Sequence, residues 1–97
     1  MGTRMKKTKD ALVLRLYVAG NAPNSLRAIE NLKVFCADKL FAGYELEIVD
    51  LLKEPRRALA DGIVVTPTLL KVSPSPVKRL IGNLSDAASV LRTLARE

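Results

Sequence analysis

The run Ile63-Val64-Val65-Thr66-Pro67-Thr68-Leu69-Leu70-Lys71-Val72 constrains this chain most, because a proline interrupts what otherwise reads as a buried β segment. Proline has no N–H to give to a ladder, so within sheets it is confined to edges, strand starts and bulges. The run therefore predicts a strand beginning at about Thr68, entered through a tight turn at Thr66-Pro67. Such a turn is where a cis X-Pro bond is found, since trans is favoured there by only about 0.5–1 kcal/mol.

The segments on either side read as further strands and helices. Residues 11–18 read Ala-Leu-Val-Leu-Arg-Leu-Tyr-Val and predict a first strand. Leu12, Leu14, Leu16 and Val18 share one face, and Val13, Arg15 and Tyr17 the other. Both faces are largely apolar, as in a strand covered on both sides. Ala19-Gly20-Asn21-Ala22-Pro23-Asn24 is turn chemistry. Asn24 or Ser25 then caps a helix over residues 25–42 that stops at Gly43. Leu26, Ile29, Leu32, Cys36 and Leu40 form its apolar stripe, backed by Ala28 and Phe35. Residues 44–51 alternate, with Tyr44, Leu46 and Ile48 inward, and predict a second strand parallel to the first.

Further on, Pro55 opens a short helix carrying Ala58 and Leu59. Ser73-Pro74-Ser75-Pro76 forces a rigid turn, after which residues 77–82 read as a strand antiparallel to 68–72. A last helix starts at Ser85, with Asp86 favourably placed in its first turn and Ala87, Val90, Leu91 and Leu94 on its apolar side. The expected class is α/β, in the order βαβαββα, without repeats or linkers.

Composition narrows the function. A chain of 97 residues with 48% hydrophobic content makes a single domain, expected over residues 11–97 after a mobile basic N-terminus at 1–10. No run reaches the roughly 20 apolar residues of a membrane span, and the N-terminus lacks a signal-peptide cleavage pattern, so a cytoplasmic protein is expected. The net charge of +6 favours an acidic partner. Nucleic acid is not expected, because no aromatic residues interleave with the one basic cluster at residues 4–9. The chain has no histidine and one cysteine, which excludes Ser-His and Cys-His nucleophile pairs and an internal disulfide; no metal or cofactor site is expected. Glu45 and Glu47 share a strand face and read as a solvated pair rather than an acid–base dyad.

The element order, and Val65-Thr66-Pro67-Thr68-Leu69 leading into an apolar strand, resemble the thioredoxin fold. A thiol oxidoreductase on that fold needs Cys-x-x-Cys between the first strand and first helix, where the helix N-terminus lowers the attacking thiol's pKa. Asn21-Ala22-Pro23-Asn24 stands there, keeping a proline and no sulfur. Cys36 lies inside the helix on its apolar stripe and reads as a small buried hydrophobe. No enzyme activity is expected.

Two runs carry a more specific resemblance. Leu16-Tyr17-Val18-Ala19-Gly20-Asn21-Ala22-Pro23-Asn24-Ser25 and Thr66-Pro67-Thr68-Leu69, the latter continued by Pro74, Pro76 and Val77-Lys78-Arg79-Leu80-Ile81-Gly82-Asn83-Leu84-Ser85, resemble the KaiB family of circadian clock proteins across residues 11–91. The KaiB-like sensor domain of the histidine kinase SasA is a related module. The resemblance implies a non-enzymatic adaptor that binds a KaiC-like ATPase ring and regulates its phosphorylation cycle or output. A sensor histidine kinase or a KaiA-like protein would be further partners. It also implies two folds: a thioredoxin-like monomer that binds the ring, and a resting homo-oligomer, dimer or tetramer, of order βαββααβ, the switch lying in residues 52–97. Pro67, Pro74 and Pro76 would be the switch positions.

The partner-binding residues implied by the family are Arg27, Lys78 and Arg79. Asn21, Pro23 and Asn24 could shape an exposed recognition loop, and Lys53, Arg56 and Arg57 a partner-facing segment; turn formation and solvated charge are the plain alternatives. The chain departs from the family pattern in having one proline fewer at Pro74-Ser75-Pro76, and Thr93 and Ala95 where a glycine and an acidic residue are common. Losing a glycine favours the final helix by up to about 1 kcal/mol, and with it the thioredoxin-like order. A module of the same fold serving another acidic target, such as a signalling kinase or stress regulator, is the alternative function.

Overall fold

In the computed structural model, which describes residues 12–39 and 44–94, the chain runs β1 (Leu12–Val18), α1 (Pro23–Lys39), β2 (Tyr44–Asp50), α2 (Pro55–Ala60), β3 (Thr68–Ser73), β4 (Lys78–Ile81) and α3 (Ala87–Leu94). This is the expected order. The expectations for residues 1–11, Leu40, the helix end at Gly43, and Ala95 lie outside the described residues. The four strands form one sheet in the order β2-β1-β3-β4, with β2 parallel to β1 and both β1–β3 and β3–β4 antiparallel. No helix among the described residues is long and apolar enough to cross a membrane.

Strand β1 is central, which explains its two apolar faces. Leu12, Leu14, Leu16 and Val18 pack with Ala28, Leu32 and Cys36 of α1, Leu69 of β3, and Leu84, Val90 and Leu94 at and before α3. On the opposite face Tyr17 packs with Val49, Ala58 and Ile63, under α2. Two apolar layers on one sheet account for a core without tryptophan.

Several expectations need correcting. Helix α1 starts at Pro23, where proline's fixed φ and missing N–H suit the first turn, rather than after a cap at Asn24 or Ser25. Ser25 is buried, and its Oγ accepts from Ala19 N at 3.1 Å, bracing the turn before the helix. The buried stripe of α1 runs Ser25, Ala28, Leu32, Cys36, and Leu26, about 110° round the helix from its centre, is half exposed. On β2 the expected inward face is covered only in part: Leu46 packs against the larger core cluster, while Tyr44 and Ile48 are each 40% exposed because β2 is an edge strand. Val49, on the opposite face, is buried with Tyr17. Leu59 of α2 points to solvent while Ala58 is buried, since a helix of six residues covers the sheet with a single position. The last helix begins at Ala87, capped by Asp86, whose Oδ1 accepts from the N–H groups of Ala88 and Ser89 at 3.1 and 3.3 Å. Val90, Thr93 and Leu94 are its buried residues, Leu91 is half exposed and Ala87 exposed.

The peptide bonds before Pro67, Pro74 and Pro76 are cis. Pro67 is buried at the start of β3 and its carbonyl accepts from Gly82 N at 3.0 Å, so the proline sits where its missing N–H breaks no ladder.

Candidate functional site

At the C-terminal end of β1 the chain turns through Ala19 and Gly20 into α1, the place at which redox members of this fold carry their two sulfurs. Gly20 has φ +55°, a left-handed conformation that glycine adopts without strain. Its N–H donates to Asp50 Oδ1 at 3.0 Å, and the same oxygen accepts from Leu52 N at 3.0 Å. Asp50 thereby ties the β1–α1 loop to the β2–α2 loop. Leu51 N to Val18 O at 2.9 Å and Ala22 N to Ala19 O at 3.2 Å complete the frame. With its backbone held, the loop presents Asn21, Ala22, Pro23 and Asn24 to solvent. Arg27, one turn into α1, is exposed and donates to Asn24 Oδ1 at 3.2 Å. Lys53 is exposed on the adjoining loop, and Arg56 is exposed on α2.

The two remaining basic positions lie elsewhere. Lys78 and Arg79 sit on β4, the opposite edge of the sheet from β2, in register with Lys71 and Leu70 of β3. The sequence-derived partner residues thus form two groups, one at the loop end and one along the far edge. Arg79 already has work within the chain: its guanidinium donates to Asp61 O at 2.7 Å and Gly62 O at 3.1 Å, tying β4 to the loop after α2.

Arg57, grouped by sequence with Lys53 and Arg56, is likewise engaged. Its guanidinium grips Glu47 with both nitrogens, at 2.6 and 2.8 Å, a bidentate fork that raises the arginine's pKa and holds the Glu47 carboxyl below its usual range. Arg15 reaches the same carboxylate at 3.3 Å and Asp61 at 2.8 Å. Glu47, read from sequence as a solvated carboxylate, is therefore the shared acid of an ion-pair network that joins β1, β2 and α2. Beneath it the Tyr17 hydroxyl lies 2.6 Å from Asp61 Oδ2 and 3.0 Å from Arg57 O. Hydrogen bonding from Tyr17, followed by that from Arg15, pulls the Asp61 pKa down, while burial pushes that of Tyr17 up. Sequence reasoning did not single out Asp61. The signal for it was Arg15: a charge in a strand buried on both faces needs a counter-charge on its own side.

Cys36 is buried, and burial pushes its thiol pKa up, away from the reactive range. Among the described residues no group of three His, Cys, Asp or Glu is placed to hold a metal ion.

These features define a thioredoxin-like α/β domain whose redox position carries no sulfur. Solved structures agree on the fold: a thioredoxin of Fasciola hepatica superposes with a TM-score of 0.74 over 94% of this chain and 85% of its own, at 13% identity. The N-terminal domain of Synechococcus elongatus SasA superposes with a TM-score of 0.70 at 26% identity, over 88% of this chain and 84% of its own. The chain belongs to the KaiB family: residues 15–95 match the KaiB domain. The circadian clock oscillator protein KaiB of Rippkaea orientalis is 48% identical over 87 residues, covering 90% of this chain and 84% of that relative.

Proposed function

We propose that this protein is a non-enzymatic adaptor of circadian-clock type that binds a KaiC-like ATPase ring and regulates its phosphorylation cycle or output. The observation that carries the reading is the loop at the end of β1. A scaffold built to hold a catalytic dithiol holds Asn21, Pro23 and Asn24 there instead, fixed by Asp50 and flanked by Arg27 and Lys53. A rigid polar loop with adjacent cations suits docking on an acidic protein surface. Family membership supplies the partner class, and similarity to the SasA domain supports a shared binding mode. The proposal includes a resting homo-oligomer with residues 52–97 rearranged, Pro67, Pro74 and Pro76 marking the switch, and action in the cytoplasm.

The test is co-elution with a KaiC-type ATPase ring in ATP, in ADP and without nucleotide. A complex that charge reversal at Arg27 and Lys53 weakens at least about tenfold supports the reading, since each rim charge contributes to association with an acidic face. Absence of a complex under all three conditions overturns it.

A further inference from the structure

A cleft between β4 and α3 plays no part in the loop described above. Lys78 and Leu80, two apart on a strand, share the face of β4 that looks toward α3. Ser89, Arg92 and Thr93, three and four apart, share one face of α3. With the strand at Arg79 they line a cavity of about 360 Å³. The guanidinium of Arg79 is turned away to the carbonyls of Asp61 and Gly62, so the cations at the cavity are Lys78 and Arg92.

Among the described residues, the cations at this cleft outnumber the carboxylates. Lys78 stands directly opposite Lys71 on β3, and like charges in that position destabilise a strand pair. Lys71 is buried, its ammonium donating to Pro74 O at 2.8 Å, and burial, then the charge of Lys78, pushes its pKa down. Among the described residues no ion pair joins Lys71, Lys78 or Arg92 to a carboxylate, whereas the ion pairs on the other face match Arg15 and Arg57 with Glu47, Asp61 and Glu54. The neighbouring acid, Asp86, is taken up by the Ser89 hydroxyl at 2.8 Å and by the first amides of α3. Arg92 donates to Ser89 Oγ at 3.3 Å, and its charge adds weakly to the lowering of the Asp86 pKa that the Ser89 hydrogen bonds lead, without a direct ion pair between the two.

We propose that the cleft between β4 and α3 binds a phosphoryl-class oxyanion, free or borne by a small molecule, between Lys78 and Arg92. A phosphate monoester carries a charge of about −1.5 to −2 near neutral pH, which two cations match and a single carboxylate does not. Arginine offers a planar fork suited to phosphate geometry, and lysine a point charge beside it. Bound there, the anion also offsets the repulsion between Lys71 and Lys78.

The experiment is a ¹H–¹⁵N titration of the full chain with sodium phosphate, AMP, sodium acetate and sodium chloride at matched ionic strength. Phosphate or AMP is expected to give saturable shifts at Lys78, Arg79, Ser89, Arg92 and Thr93. Tighter binding of AMP assigns the site to an organic phosphomonoester, and tighter binding of phosphate to the free ion. The K78Q/R92Q variant is expected to weaken binding at least about tenfold, the loss of one charge-assisted contact or more. R92Q alone, at an exposed position, gives the same direction should the double variant melt early, and K33Q on α1 leaves binding unchanged. Shifts that follow ionic strength alone, equal saturation by acetate, or binding by K78Q/R92Q within about twofold of the parent would each overturn the site.

Discussion

Replacing Tyr17 by Phe removes one oxygen and leaves the ring packed against Val49, Ala58 and Ile63. The lost hydroxyl is the 2.6 Å donor to Asp61 Oδ2. A hydrogen bond to a charged group contributes about 1.5–3 kcal/mol net. Asp61 keeps Arg15 at 2.8 Å, so its carboxylate is not orphaned and the lower part of that range applies, about 1.5–2 kcal/mol. With a urea slope near 1 kcal/mol/M for a chain of this size, the unfolding midpoint falls by about 1.5 M or more.

The loss must also depend on pH. The Asp61 pKa is depressed in the folded protein, with Tyr17 the leading cause of lowering. A depressed carboxylate stabilises the fold above its unfolded pKa of about 3.9 and ceases to do so as pH falls through the folded value. The gap between parent and Tyr17→Phe is therefore full at about pH 6 and narrows on acidification below about pH 4. Urea melts followed by circular dichroism at several pH values measure both quantities. A gap below about 0.5 kcal/mol near neutrality, or one that does not change with pH, refutes the assignment of Tyr17–Asp61 as a charge-assisted bond.

Two further outcomes follow from individual positions. Gly20→Ala is expected to destabilise by about 1 kcal/mol in a thermal melt, because φ is +55° there; the added Cβ would meet only Leu52 Cδ1, at 3.2 Å, the movable end of an exposed side chain. A stabilisation, which Gly→Ala gives where φ suits alanine, would contradict the left-handed turn. The Cys36 thiol is expected to react with a disulfide reagent at least about a hundredfold more slowly in the native protein than in urea, since it is buried and its pKa is raised; comparable rates would place it at the surface.

How much of this could be read in advance depended on range. The two-faced apolar run of β1, the turn at Thr66-Pro67 and the hairpin after Val72 are local patterns, and they gave the order of elements along the chain correctly, whereas the pairing of β1 with β3 is seen only in the structure. How much of an edge strand's face is covered is a tertiary matter. Alternation placed Tyr44, Leu46 and Ile48 inward, and Leu46 does pack on the core, but Tyr44 and Ile48 are exposed and Val49 is buried on the opposite face. The ion network joins Arg15, Glu47, Arg57 and Asp61 across separations of up to 46 residues, beyond any periodicity. Lys71 lies inside the apolar run 63–72 without being singled out, and its burial opposite Lys78 became visible only through the β3–β4 register. The candidate loop was found because a missing motif is itself legible: Asn21-Ala22-Pro23-Asn24 stands where two sulfurs would be.

The loss of those sulfurs does not loosen the loop, and this is what makes a binding role physically coherent. In a redox member the disulfide constrains the turn; here Asp50 Oδ1 takes the N–H groups of Gly20 and Leu52, and Ser25 Oγ takes that of Ala19. These acceptors anchor backbone and, among the described residues, leave the side chains of Asn21, Pro23 and Asn24 uncommitted apart from the Arg27–Asn24 contact. A loop ordered through its backbone loses little further conformational entropy when its side chains engage a partner, whereas a mobile loop would surrender roughly 1–2 kcal/mol per residue of backbone fixed. The thioredoxin-like scaffold thus retains its ability to hold one turn rigid at the end of β1, with the held groups changed from nucleophiles to the exposed side chains that the proposed adaptor role would use.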